Sequence, residues 1–512
     1  MKKYLSWLIV LSVIIAAGII KFHLLDIPLE RDEGEYAYIA RLLTGGTPLY
    51  HSAFNAKLPG IYFFYAAVMA LFGQNSFGIH LGLLFLTGAT TALLFLLCRR
   101  LLGVYAGVIA AAAFAILTLG KYTLAFNVEH LVIFLVLGGL LLMLRAIDRG
   151  AGFLSTGIVL GLAFISKQHA MFFVLFGALY LAWAPPAILK ERVKRASLFL
   201  AGAALPFAAL CVLFYIQGVF DSFWFWVVTY ASRYCAVMTI PDGIRSFLYV
   251  GGKIGGCAPL IWIVAGFGLA AASRLEVQKR VFLIGFFIAS FLALTPGLYF
   301  RHHYFIFLFP VAALLAGVVA YRRTAAITAI FIVIFALTIF QQSQFLFRMD
   351  PVAASRAIYV NSPVSESVEV AKYIEKTSGR DARVIVLGSE PQIYFYLQRK
   401  APVSFIYMYP LLEKTPYAVP LQTRFVKEIA SADADYLIGV HIGTSWFNRY
   451  VNKELADPLF GWIEAYQLRH YDVVGVVDMI SRDETVYRWD ESAGQYKPRS
   501  GNYILVLKRR PA

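Results

Sequence analysis

Eleven apolar runs of roughly the 20 residues that cross a bilayer follow one another through the first 342 positions, near 4–22, 76–98, 101–120, 127–144, 151–166, 169–184, 197–217, 247–272, 281–297, 303–320 and 324–342. In hydrocarbon every backbone amide must find its partner inside its own segment, so the expected fold is a bundle of membrane-spanning helices. Composition agrees. Hydrophobic residues make up 60% of the chain and charged ones 15%, and a mean hydropathy of +0.68 is far from that of a soluble globular protein. The run from Tyr4 to Ile20 follows Lys2-Lys3 with no clean small-residue cleavage site after it, and is read as a retained first helix.

A net charge of +16 in a soluble chain would suggest nucleic acid; here it does not, because the basic residues gather between apolar runs. With the N-terminus inside, alternate junctions should be basic. They read Arg99-Arg100, Arg145 with Arg149, "KERVKR" at 190–195, "RLEVQKR" at 274–280 and Arg322-Arg323. The same parity sends 23–75, 218–246 and everything after about residue 343 to the outer side. Beyond Gln341 the pattern turns to that of a soluble α/β unit, with helices at "SVEVAKYIEKTSG" and "QTRFVKEIASA" and strands at "RVIVLG", "DYLIGV", "YDVVGVVDMI" and "YILVLKR". The expected organisation is a membrane domain over 1–345, with an outer loop at 23–75, and an outward α/β domain over 346–512. Cys98, Cys211, Cys235 and Cys257 are scattered and form no CxxC pair.

Polar groups at outward junctions are the candidates for chemistry, since a charge near hydrocarbon is costly unless it lines a wet cavity or has a partner. Four segments qualify: "RDEGE" at 31–35 with Lys57 downstream, "FNVEH" at 126–130, "SKQH" at 166–169 and "RHHY" at 301–304. Each also has a bland reading. Asp32 with Glu35 fits a capping box on a helix over 33–44 ended by Gly45-Gly46. Glu129, His130 and Lys167 fit interfacial residues, and "RHHY" fits an interfacial belt. "GGKIGG" at 251–256 lacks P-loop spacing and is read as close helix packing, and "FWFWVV" at 223–228 as an interfacial aromatic segment or the wall of a lipid groove.

Taken in order, these pieces resemble the GT-C glycosyltransferases of the bacterial PMT-2 group, related to protein O-mannosyltransferases and to the aminoarabinose transferases that modify lipid A. The resemblance rests on "RDEGEYAYIARLL", "GTPLYHSAFNAKLPGIYF", "NVEHLVIFL", "GLAFISKQHAMFF", "RHHYFIFLFPVAALLAG" and "RVIVLGSEPQIYFYLQRKAP". It implies a multi-spanning GT-C membrane enzyme of the bacterial inner membrane, with about eleven spans, N-terminus in and C-terminus out, that moves a sugar with inversion from a polyprenyl-phosphate donor to an envelope acceptor. Asp32 takes the family's catalytic carboxylate position, with Glu33 beside it. Lys57, Lys167, Arg301 and His302 are then the candidates for the donor phosphate. Glu35, Tyr36, Asn127, Gln168, His303 and Tyr304 are supporting or acceptor-side candidates. A divalent cation on Glu33, Glu129 and His130 is the one cofactor suggested, although Glu35 and Asn55-Ala56 depart from the aminoarabinose-transferase pattern. Membrane lipids are the surrounding partners, and the donor sugar and acceptor have no readable motif. The rivals are a lipid-linked saccharide flippase, which would spread polar groups through the membrane depth, and a non-catalytic envelope-assembly subunit, which would not depend on Asp32.

Overall fold

The computed structural model describes residues 2–185, 188–235, 238–446 and 453–511. Every one of the eleven apolar runs is helical. Among the described residues five helices can cross a bilayer by length and composition, Tyr4–Phe22, Ser76–Leu102, Val128–Arg149, Leu189–Ile216 and His302–Val319, and the shorter apolar helices include Val104–Leu117, Phe153–Ser166, Gln168–Trp183 and Ala325–Gln341. The expected single span at 247–272 is broken: Ile240–Cys257 and Pro259–Arg274 meet at 105°. Ala258 between them has φ −148° and ψ 56°. Pro259 explains the break, since its ring disfavours helical backbone in the residue before it and it donates no hydrogen bond.

The tail forms a five-stranded sheet from β1 (Val384–Leu387), β2 (Tyr436–His441), β3 (Tyr471–Met479), β4 (Thr485–Trp489) and β5 (Tyr503–Arg509). Its order is β1-β2-β5-β3-β4; β1 and β2 are parallel, and the other pairings are antiparallel. Four of these strands and the helices Val364–Thr377 and Ala418–Ala432 lie where the sequence places them. β4 and the Lys453–His470 helix are additional.

The segment 23–75 does not loop freely. Its Arg31–Thr44 helix is buried from Glu33 through Ala40 without interruption, and eight consecutive residues sweep every face of a helix. It therefore has protein on all sides, with the bundle below and the tail above. The tail holds it by named contacts. Arg41 donates to the carbonyls of Phe395, Tyr394 and Arg399 at 3.0–3.1 Å, satisfying the open end of the Gln392–Tyr396 helix. Tyr38 Oη accepts from the Ala401 amide at 2.9 Å, and Tyr396 Oη from the Leu29 amide at 2.7 Å. Gly34 allows the closest approach: a Cβ there would lie 2.3 Å from Gln392 Cβ and 2.5 Å from its Cα.

The aromatic segment after Gly218 is a further dock rather than a free interfacial belt. Phe54 stacks on Trp226 at 5.1 Å and meets Phe405 edge-on at 5.4 Å, Phe225 meets Tyr417 at 5.2 Å, and Tyr230 donates to the Glu413 carboxyl. Residues Phe225–Tyr230 form a π-helical turn, a geometry that widens the helix and re-aims its side chains.

Two predictions follow from this junction. Gly34→Ala overpacks the helix against Gln392 backbone and should cost about 1–3 kcal/mol, seen as a lower melting temperature and faster proteolytic release of the tail; an unchanged protein would show that the contact can yield. Burial pushes the Glu413 carboxyl up from 4.5 to about 7, against the opposing Tyr230 hydrogen bond and Arg301. A raised acid pKa stabilises the fold fully below the unfolded value, and that contribution is lost as pH rises through about 7. Glu413→Gln should therefore melt like the wild type at pH 5 and be more stable than it at pH 8, by an amount on the order of 1–3 kcal/mol.

Candidate active site

Helix geometry sorts the acids of "RDEGE". The helix starts at Arg31 with Glu30 as its N-cap residue, in extended backbone at φ −74° and ψ 174°, two positions before the expected cap. Asp32 is thus released from capping into the first turn, where an acid also favours the helix dipole. The box expected from Asp32 and Glu35 is formed by Glu30 and Glu33, the Glu30 amide donating to Glu33 Oε2 at 3.2 Å. Gly45 ends the helix as expected.

Residues three and four apart share a helix face, so Asp32, Glu35 and Tyr36 look the same way. Lys57 meets them there: its Nζ donates to Asp32 Oδ1 at 2.8 Å and to Glu35 Oε2 at 2.5 Å, and lies 4.5 Å from the centroid of the Tyr36 ring. Tyr62 donates to Glu35 Oε1 at 2.6 Å. Glu35 is fully buried, whereas the Asp32 side chain keeps 20% of its surface accessible. Burial would raise the Asp32 carboxyl, but Lys57, His303 and Arg301 outweigh it and hold the group well below the usual carboxylate range. Asp32 is an anion at any physiological pH. Glu35 moves the other way, pushed up by burial more than Lys57 draws it down.

Glu33 sits about 100° round the helix from Asp32 and faces the bundle. Its Oε1 accepts from His80 Nε2 at 2.9 Å and from the Phe126 amide at 2.5 Å, while His80 Nδ1 pairs with the Leu25 carbonyl at 2.8 Å. Glu33 is 1% exposed and committed to holding three elements together. The structure does not bring it to the accessible face of Asp32.

A second ion pair lies beside the first. Lys167 donates to Glu129 Oε1, with His303 Nε2 3.9 Å from the same oxygen and Lys167 Nζ 4.3 Å from the centroid of the Tyr304 ring. Glu129 Oε2, Asn127 Oδ1 and His130 Nε2 are buried without hydrogen-bond partners among the described residues. Gln168 donates to the Ala56 carbonyl at 3.3 Å, tying this group to the Lys57 loop. Arg301 packs over the Tyr299 ring at 5.6 Å, following Leu298 and Phe300 in left-handed backbone at φ 57° and 43°, an unusual conformation for residues of that size.

Two expected groupings do not form. His302 stacks on Tyr122 at 4.4 Å rather than joining Lys57 and Lys167, because successive residues of the 3₁₀ segment His302–Leu308 point about 120° apart, and it is His303 that reaches Glu129. Glu33, Glu129 and His130 do not converge either. Glu33 is saturated by His80 and the Phe126 amide, and Glu129 Oε1 is taken by Lys167. Among the described residues no three His, Cys, Asp or Glu side chains are grouped to hold a metal ion.

The sequence reading missed what the tail contributes. Tyr407 Oη donates to Asp32 Oδ1 at 3.0 Å, and Arg31 bonds Glu390 Oε1 and Tyr409 Oη, each at 2.5 Å, and the Thr444 carbonyl at 3.0 Å. The one available signal was the tyrosine pair of "FIYMYP".

Residues 56–216 match the family model for dolichyl-phosphate-mannose-protein mannosyltransferase, PMT-2. No curated protein matches the chain in sequence. Solved structures share its architecture. ArnT from Cupriavidus metallidurans, bound to undecaprenyl phosphate, aligns over 97% of both chains at 13% identity with a TM-score of 0.58. The archaeal oligosaccharyltransferase AglB from Archaeoglobus fulgidus, in complex with an inhibitory peptide and a dolichol-phosphate, aligns over 96% of this chain and 75% of its own at 15% identity, with a TM-score of 0.55. The chain thus shares the GT-C membrane fold of these two proteins, and its residues 56–216 are similar to the PMT-2 family.

Proposed function

We propose that this protein is an inverting glycosyltransferase that moves a sugar from a polyprenyl-phosphate carrier to a hydroxyl acceptor at the outer face of the cytoplasmic membrane. The observation that carries the reading is Asp32 itself. It is a partly accessible carboxylate, held ionised by Lys57 at 2.8 Å within the field of Arg301, at the tail-side end of a membrane bundle. A ligand-bound ArnT of the same fold carries undecaprenyl phosphate, which supports a lipid phosphate as the leaving group here.

The chemistry fits the groups present. The acceptor oxygen attacks the anomeric carbon, its proton passes to Asp32, and the bond from that carbon to the phosphate oxygen breaks with its electron pair leaving on the lipid phosphate. Asp32 is a weak base, so its first task is to orient the hydroxyl and take the proton late, as the developing oxonium becomes acidic. Lys57, Lys167, Arg301 and His303 are the groups we assign to the departing phosphate. In the free protein Lys57 and Lys167 are neutralised by Asp32, Glu35 and Glu129, which spares the bundle buried unpaired charge until an anion arrives.

The test is transfer of label from radiolabelled polyprenyl-phosphate sugars by the reconstituted protein, with envelope extract as acceptor. Asp32→Asn keeps size and hydrogen bonding but removes the base, and transfer should fall by about 10²–10⁴-fold with the fold intact. Full activity in Asp32→Asn would favour a non-catalytic role, with the carboxylate serving only the helix terminus.

A further inference from the structure

We infer that Tyr407 is a positioning residue of the transfer site: from the tail domain it fixes the rotation of the Asp32 carboxylate so that Oδ2 faces the acceptor. This rests on the transfer reading and goes beyond it, by making the tail part of the catalytic apparatus rather than a separate module.

The geometry is asymmetric. Lys57 Nζ and Tyr407 Oη both donate to Oδ1, at 2.8 and 3.0 Å, and no hydrogen bond to Oδ2 is found among the described residues. The terminal torsion of an aspartate is soft, so a single donor leaves the plane of the carboxylate free to swing. Two donors from separate elements define it. With both on one oxygen, the other is the atom left to accept a proton. The donor is itself rigid. Tyr407 is 8% exposed, and its segment is pinned at Ser404, whose amide donates to Glu428 Oε2 at 2.7 Å and whose carbonyl accepts from the Phe54 amide at 2.9 Å. It is pinned again at Met408, whose amide donates to Ser389 Oγ at 2.9 Å. Next to it Tyr409 bonds Arg31, the residue before Asp32. A side chain so supported holds its hydroxyl in place as a positioning group must.

Tyr407→Phe keeps the ring and its packing and deletes only the hydroxyl. Measured with the wild type, Asp32→Asn and the double variant in the labelled-donor assay, it should lower kcat by about 10–100-fold, the worth of one hydrogen bond to a charged group, with the donor KM unchanged. In the Asp32→Asn background it should cost nothing more, because the group it positions is gone. Losing the donor also makes Asp32 a stronger base, an effect of opposite sign. A kcat equal to or above wild type therefore overturns the positioning role, and so does an equal further loss in the double variant, which marks a merely structural tyrosine. A wild-type chain that transfers from no polyprenyl-phosphate sugar takes down the transfer reading and this role together.

Discussion

One ammonium group governs the arrangement of everything around Asp32. Lys57 Nζ bonds Asp32 and Glu35 at once and rests against Tyr36, so three residues on one helix face are organised by a single charge from the loop that follows. Burying such ions is costly unless they are paired and hydrogen-bonded. Here the further partners are supplied by Tyr62 from the bundle and Tyr407 from the tail. The ion pair therefore demands a helix enclosed from both sides, and the docked tail is the way the chain meets that demand.

This enclosure also separates two kinds of acid. Glu33 joins His80 and the Phe126 amide as a strut between the surface helix and two bundle segments, while Asp32, one residue earlier, keeps an accessible edge. The difference is a rotation of one residue on a helix, and it ties one carboxylate into the bundle and leaves its neighbour open to solvent.

Much of this was legible in the sequence, for identifiable reasons. Apolar run length marked the helices of the bundle, and the change of pattern after Gln341 marked the sheet domain. The sequence singled out Asp32 and Lys57 but set Glu33 beside Asp32; on the folded helix it is Glu35 that shares the face of Asp32 and meets Lys57. The helix start was misplaced by two residues because an extended Glu30, a less favoured cap than Asp, takes the N-cap position. His302 and His303 could not be told apart until the 3₁₀ segment fixed which of them faces Glu129. The 105° break after Cys257 was signalled by Pro259, but an apolar run reads through a single proline. Tyr407 was invisible because nothing local links position 407 to position 32; only the docking of the tail does.

The order of strands in the tail adds a constraint in time. β5, at residues 503–509, is not at the sheet edge but sits between β2 and β3, so β1-β2 and β3-β4 stay two separate pieces until β5 has been made. The segment carrying Tyr407 hangs from that sheet. The geometry at Asp32 therefore waits on a strand made well after Tyr407 itself, and a nascent chain already anchored among lipids carries its carboxylate unaimed until β5 has joined the sheet.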